Sequence, residues 1–155
     1  MIKVNVVAVG KVKEKYFADG IAEYVKRLSR YCDFSLTEVK EENFTVCTPQ
    51  LIETIKEREA VRIEPHLKGA VYALAIEGKK FSSERFAAEI EKAAAKSGVL
   101  TFVIGGSYGI ADRIKEKAAL ISFSDMTFPH TLFRLMLTEQ IYRAFSIIAG
   151  TPYHK

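Results

Sequence analysis

The sequence predicts an α/β fold with a mainly parallel sheet flanked by helices. Short β-branched runs alternate with segments of helical periodicity along all 155 residues, as in repeated strand–helix units. Two of these runs, residues 2–9 and 70–76, are apolar almost throughout, which is typical of strands that helices cover on both faces. The length fits one domain over residues 1–155, with a core large enough to need no metal or disulfide.

The first half of the chain is predicted to hold two strands and two helices. After the strand at residues 2–9, residues 16–30 form a helix whose inward face carries Phe17, Ile21, Tyr24, Val25 and Leu28. Residues 34–39 alternate in polarity and predict a second strand. Residues 41–48 have no clear period and are expected to form an exposed loop. A second helix is predicted for residues 49–65, with a proline in its first turn.

The second half continues the alternation. Strands are predicted at residues 70–76, 100–104 and 119–123. The first two of them enclose a helix capped by Ser82 or Ser83, because a serine before a helical run satisfies free amides of the first turn. A short helix should separate the last two strands. The order of elements therefore favours parallel strands joined by helices.

The last predicted helix, residues 130–149, is apolar on more than one side. One face carries Phe133, Met136, Leu137, Ile141, Ala144, Phe145 and Ile148. Outside that face lie Leu132, Leu135, Tyr142 and Ile147. A helix with so much apolar surface is buried on several sides. We therefore expect another subunit to cover part of it, with Leu132, Leu135 and Tyr142 as candidates for the interface.

Composition restricts the class of protein. Hydrophobic residues make up 48% of the chain, and no apolar run approaches the roughly 18 residues that a membrane helix needs. Cys32 and Cys47 form neither a disulfide framework nor a metal-binding pattern, so we expect two free thiols in a cytoplasmic protein. The formal net charge of +4 favours an anionic partner, although only weakly.

Glycines mark the predicted carboxyl edge of the sheet. Gly10, a turn at Gly78 and the loop at residues 105–109 lie there, together with the loop at residues 124–128. Ligands of parallel sheets bind at this edge, and glycines allow backbone amides to approach them closely. The spacing in residues 105–109 fits no nucleotide motif, so a ligand-binding loop and a tight strand-to-helix connection remain equally acceptable.

Three other kinds of site are disfavoured. Ser124 and His130 lack an obvious orienting acid for nucleophilic catalysis. Asp125 and Glu139 are interpreted as an exposed loop acid and a helix-face acid rather than as a catalytic pair. No zinc site is expected, because HExxH or comparable spacing is missing among His66, His130 and His154.

Five stretches of the chain, in this order and spacing, resemble one small protein family. They are VNVVAVGKVKEKY, ALAIEGKKFSSE, FVIGGSYGI, SFSDMTFPHTLFRLMLTEQIYRAF and the terminal YHK. The family is that of the bacterial large-subunit ribosomal RNA pseudouridine N3-methyltransferases, within the SPOUT superfamily. The resemblance covers the whole chain and is least distinctive over residues 41–51. It implies a deep trefoil knot in the C-terminal half and a homodimer.

The resemblance also implies S-adenosylmethionine as the cofactor, held in the knot. Carried onto this chain, the binding positions include Leu74, expected to end the third strand beneath the cofactor, and Gly105 in the glycine loop. The adenosine is expected to be enclosed by Phe123, Ser124, Asp125, Met126, Thr127 and Phe128. Asp125 is expected to act through its backbone rather than its carboxylate.

The implied substrate is a pseudouridine in helix 69 of 23S rRNA within the 70S ribosome. Transfer to N3 requires loss of the N3 proton, and four side chains are candidates for catalytic roles, namely His130, Arg143, Tyr153 and His154. The last two are candidates to enter the partner subunit's site. Phosphates are expected to meet Lys11, Lys13, Lys15 and Lys155. No metal and no membrane are implied.

Two other classes of function fit the same composition. A non-catalytic ribosome-binding factor would keep the basic residues but need no cofactor loop. A methyltransferase of small molecules would keep the cofactor and be indifferent to ribosomes.

Overall fold

A computed structural model describes residues 1–45 and 48–155 and contains the predicted alternation of strands and helices. Cys47, expected to be a free thiol, lies outside the described residues; Cys32 is a buried free thiol. The five strands are β1 (Lys3–Val9), β2 (Asp33–Val39), β3 (Ala70–Lys80), β4 (Val99–Ile104) and β5 (Ala119–Ser122). The five α-helices are α1 (Lys15–Leu28), α2 (Pro49–Ile63), α3 (Ser83–Ser97), α4 (Asp112–Lys115) and α5 (His130–Ala149). A single 3-10 turn, Glu64–His66, extends α2 within the described part of the chain.

All five strands run parallel in one sheet of order β2-β1-β4-β3-β5. β1 lies inside the sheet, with Lys3 opposite Asp33 of β2 on one side and Val99 of β4 on the other. The predicted α/β class with a parallel sheet is therefore confirmed. Because all strands share one direction, their carboxyl ends meet at a single edge.

Helices cover both faces of the sheet, as the continuous apolar strands predict. One core is shared with α1, α3 and α5 and includes Val6, Phe102 and Leu137. The other is shared with α2 and α4 and includes Val7 and Val103. Neighbouring strand residues thus point into opposite cores, since side chains alternate across a strand.

The helix ends follow local signals in the sequence. Ser82 caps α3, its Oγ accepting a hydrogen bond from the amide of Arg85 at 3.2 Å. Thr48 does the same for α2 through the amide of Leu51. Gly98, with φ of 71°, ends α3 in the left-handed conformation that favours glycine.

Strand β3 differs from its prediction. It continues to Lys80 rather than ending near residue 76, and its pairing with β5 shifts between Leu74 and Lys79. Ile121 of β5 pairs with both of these residues, so residues 75–78 leave the regular ladder. Leu74 therefore does not end the strand, and Gly78 lies within it rather than in a turn. Pattern alone does not reveal such an irregularity, because it depends on the neighbouring strand.

Helix α5 packs between α1 and α3, and its predicted inward face is confirmed at Leu137, Ile141, Ala144 and Phe145. Ile148, predicted to face inward, is exposed, whereas Arg134 is fully buried. Tyr142, predicted as an interface candidate, is 8% exposed because it packs in this chain's own core beside Tyr24 and Tyr31. Among the described residues, every helix is too short or too polar to span a bilayer.

Candidate functional site

A cavity of about 740 Å³ opens at the carboxyl edge of the sheet. We call it the edge cavity. Its walls come from residues 74–77 of β3, from most of residues 104–110 after β4, and from most of residues 122–130 after β5. Lys115 and Phe133 complete the lining. Three segments that are distant in sequence thus meet here because their strands are neighbours in the sheet.

The edge cavity brings together most of the residues expected to bind a cofactor. Seven of the eight line it, namely Leu74, Gly105, Phe123, Ser124, Met126, Thr127 and Phe128. Asp125 is not part of the lining, and its exposed carboxylate instead forms an ion pair with Lys80. This agrees with its interpretation as an exposed loop acid.

The glycine loop is compact, and it leaves no room for a side chain at Gly105. The amide of Gly109 donates to the carbonyl of Gly106 at 3.1 Å. A Cβ at Gly105 would lie 2.7 Å from Ile110 Cγ1 and 2.9 Å from the Gly109 carbonyl oxygen. Gly106 approaches Glu59, a buried carboxyl whose pKa is raised by desolvation. The glycines therefore permit both the tight connection and a backbone wall for the cavity.

The loop after β5 is held by hydrogen bonds and aromatic contacts. Ser124 Oγ accepts a hydrogen bond from the amide of Met126 at 3.0 Å, which is a turn contact typical of serine. Phe133 of α5 lies beside two rings of this loop, with centroid distances of 5.3 Å to Phe123 and 5.6 Å to Phe128. The loop therefore presents apolar surface and backbone groups to the edge cavity.

His130 is the one catalytic candidate that lines the edge cavity. Burial lowers its pKa below the ordinary value, and the positive charge of Arg134 acts in the same direction. The carboxylates of Glu41 and Glu14 oppose this effect. His130 Nδ1 is buried without a hydrogen-bond partner among the described residues. The neutral form of the imidazole is therefore favoured at pH 7, and in that form a ring nitrogen is able to accept a proton.

The first turns of α5 also hold the loop that follows β1. Arg134 donates from Nη1 to Glu38 Oε2 at 2.7 Å and from Nη2 to the carbonyls of Val9 and Gly10, each at 3.2 Å. Glu38 Oε2 accepts a further hydrogen bond from the amide of Val12 at 3.3 Å. Sequence reasoning missed Arg134, since a charged residue in a helix is ordinarily expected at the surface.

The C-terminal tail lies away from the edge cavity. Tyr153 packs on Tyr142, and its hydroxyl donates to Glu139 Oε1 at 3.0 Å. The guanidinium of Arg143 lies 4.8 Å from the centre of the Tyr153 ring and donates to Glu139. Glu139 is thus an acid on the face of α5, as interpreted from the sequence, and it is also a half-buried acceptor for the tail.

His154 continues the same network. Its Nδ1 lies 3.0 Å from Arg143 Nη1, and its Nε2 lies 2.7 Å from Glu84 Oε1. Glu139 also lines a second cavity, of about 510 Å³, between α1, α3 and α5. Three of the four catalytic candidates are therefore gathered beside this second cavity, while His130 lies at the first.

The four lysines expected to meet phosphates are all exposed. Lys11 and Lys13 lie in the loop after β1, and Lys155 ends the tail. Lys15 is the first residue of α1 rather than part of the loop, and it forms an ion pair with Asp19 at 2.7 Å. The described part of the chain contains no group of three or more His, Cys, Asp or Glu side chains placed to hold a metal ion.

With this geometry, comparison with known proteins identifies the class. A family model described as "Predicted SPOUT methyltransferase" matches residues 2–154. The chain belongs to the SPOUT methyltransferase family and is therefore a methyltransferase.

The chain is also similar, over its full length, to curated relatives named ribosomal RNA large subunit methyltransferase H. The relative from Streptococcus uberis is 50% identical over 159 residues, covering 99% of this chain and all of the relative. The relative from Limosilactobacillus reuteri is 49% identical with the same coverage. The relative from Lactobacillus delbrueckii subsp. bulgaricus is 47% identical, again over 99% of this chain.

Proposed function

We propose that this protein transfers a methyl group from S-adenosylmethionine to N3 of a pseudouridine in helix 69 of 23S rRNA, within the assembled 70S ribosome. The proposal rests mainly on the edge cavity, where seven of the eight residues expected for the cofactor form one lining. Full-length similarity to relatives named for methylation of large-subunit ribosomal RNA supports the RNA substrate.

The chemistry of the edge cavity fits this cofactor. Adenosine has flat faces and a polar edge, and the cavity offers apolar side chains beside backbone groups of the glycine loop and of the loop after β5. Leu74, Met126 and Phe128 are the side chains proposed to contact the faces of the base. Once bound, the cofactor supplies an electrophilic methyl group.

The remaining chemistry falls to side chains that orient the pseudouridine and receive its N3 proton. His130 has support as the proton acceptor, because its imidazole lines the edge cavity and is neutral at pH 7. Arg143, Tyr153 and His154 lie away from the edge cavity of their own chain, where contacts within the chain hold them. We therefore propose that Tyr153 and His154 act in the partner subunit's site.

The proposed homodimer would form along α5. Leu132 and Leu135 remain candidates for its interface, since both are only partly buried within the chain. Sedimentation equilibrium at micromolar concentration would measure a dimer mass; a monomer mass there would contradict the proposal. We further propose a single domain over residues 1–155, a trefoil knot formed by its C-terminal part, and a cytoplasmic location.

The RNA is proposed to bind through phosphate contacts from exposed lysines. Lys11, Lys13, Lys15 and Lys155 lie on the surface, where they are able to reach an RNA backbone. A protein of this size carries little surface for reading a sequence, so the shape of the assembled ribosome would supply much of the specificity.

Transfer of a labelled methyl group tests the proposal directly. The labelled cofactor is incubated with the protein and either 70S ribosomes or free 23S rRNA, from bacteria that lack this methylation. We expect label on the pseudouridine of the ribosomes and much less on free RNA. Calorimetric titration without detectable cofactor binding would favour a ribosome-binding factor, whereas binding without labelling of either RNA would favour a small-molecule substrate.

A further inference from the structure

Two oppositely charged side chains meet on the wall of the edge cavity. Lys115 Nζ lies 2.6 Å from Glu77 Oε1, and both residues line the cavity. Glu77 belongs to the segment of β3 that leaves the regular ladder with β5, and Lys115 is the last residue of α4. The proposed methyl-transfer chemistry gives no role to either residue.

Charge is scarce in the rest of the cavity. Among the described residues that line it, only Glu77, Lys115 and His130 are ionisable. His130 is neutral at pH 7, because burial lowers its pKa. The wall therefore offers a ligand one full positive and one full negative charge, side by side.

The two charges are well suited to binding a zwitterionic group. The side chain of Lys115 is 24% exposed, so its charge is screened by water less than that of a surface lysine. The hydrogen bond from Lys115 lowers the pKa of Glu77, so this carboxylate is ionised at neutral pH. An α-amino acid carries an ammonium and a carboxylate on one carbon atom, the complement of this pair.

We propose that Glu77 and Lys115 form the subsite for the α-amino-acid end of the cofactor, with Lys115 binding its carboxylate and Glu77 binding its ammonium group. The inference rests on the proposed function, since it takes S-adenosylmethionine as the ligand of the edge cavity. It assigns specificity for the methionine end of that ligand to two residues that sequence patterns did not indicate.

Calorimetry with three ligands tests this subsite without any methyl transfer. S-adenosylhomocysteine carries the complete amino-acid end, decarboxylated S-adenosylmethionine lacks the carboxylate, and 5′-methylthioadenosine lacks the whole end. Lys115→Met should weaken the binding of S-adenosylhomocysteine at least about tenfold, as expected for a lost hydrogen bond between charged groups. The affinities for the other two ligands should stay within about threefold of the wild-type values. Glu77→Gln should weaken the binding of both ligands that carry the ammonium group and leave the affinity for 5′-methylthioadenosine unchanged.

The control is Lys117→Met. Lys117 lies two residues further along and pairs with Glu64 at 3.3 Å, but it does not line the cavity. Its loss should leave all three affinities unchanged. The subsite would be overturned if Lys115→Met weakened the binding of S-adenosylhomocysteine and of 5′-methylthioadenosine equally. It would also be overturned if the variant weakened the binding of neither ligand. Absence of binding to the wild-type protein would instead overturn the cofactor assignment, and the subsite with it.

Discussion

Arg134 lies wholly inside the protein, with Nη1 2.7 Å from Glu38 Oε2. Its other bonds go to the carbonyls that end β1, so one guanidinium joins the start of α5 to the edge of the sheet. A buried charge is tolerated only with such partners, and its removal would leave the two buried carbonyls without a donor.

Arg134→Met should therefore lower the free energy of unfolding by about 1–3 kcal/mol, because the buried carbonyls of Val9 and Gly10 would lose their donor. Urea unfolding measures this loss, and amide exchange at Val12 should quicken as the loop after β1 loosens. Lys15→Met is the control, since Lys15 pairs with Asp19 at the surface and should matter little for stability. An Arg134→Met protein as stable as the wild type would refute this account of the pair.

Gly78→Ala should destabilise the protein and weaken cofactor binding. A Cβ at Gly78 would lie 2.6 Å from the backbone nitrogen of Ile121, so β5 would have to move away from β3. Overpacking of this kind costs about 1–3 kcal/mol. Gly20→Ala is the matched control, because its Cβ would meet only the tip of the Leu135 side chain at 2.9 Å. Thermal unfolding and calorimetry compare the two variants, and equal behaviour would show that the backbone approach at Gly78 is unimportant.

Deletion of residues 153–155 should preserve cofactor affinity, since none of these residues lines the edge cavity. Methylation of 70S ribosomes should nevertheless fall at least ~100-fold, the order expected for the loss of a positioned catalytic group. Calorimetry and labelled transfer report the two quantities separately. Methylation within a few-fold of the intact protein would exclude the tail from catalysis, and a loss of cofactor binding would assign it to the cofactor pocket instead.

His130 should make stability depend on pH. Because burial lowers its pKa in the folded protein, the unfolded chain binds the proton more readily. Its contribution to stability is therefore fully present above the ordinary pKa of about 6.5 and is lost as the pH falls through the folded pKa. Urea unfolding between pH 8 and 5 should show a steeper loss for the wild type than for His130→Gln. Parallel curves would mean that the imidazole is not desolvated as described.

Most of the fold could be predicted because its signals are local. Pro49 begins α2 and Gly98 ends α3, as the sequence indicates, since turn and cap residues act on their immediate neighbours. The continuation of β3 to Lys80 could not be predicted in this way. It depends on Ile121, which pairs with two separate residues of β3.

In the candidate site, too, features set by local sequence could be predicted, whereas features set by distant residues could not. The glycine loop follows from its position after a strand, whereas Arg134 is buried through Glu38, which lies 96 residues away in sequence. Glu139 likewise meets Tyr153 only because the tail turns back along α5. Helical periodicity predicts that charged residues lie at the surface. A charged residue is buried only where it has a partner, and here that partner is distant in sequence.

The strand order has a consequence for the synthesis of the chain. β4 lies between β1 and β3 in the sheet but follows both in sequence. Pairing between residues so far apart is slow, because a long loop must close before any contact forms. A nascent chain that has emerged only to the end of α3 carries two apolar strands with unpaired edges. It is therefore open to aggregation until β4 inserts between them.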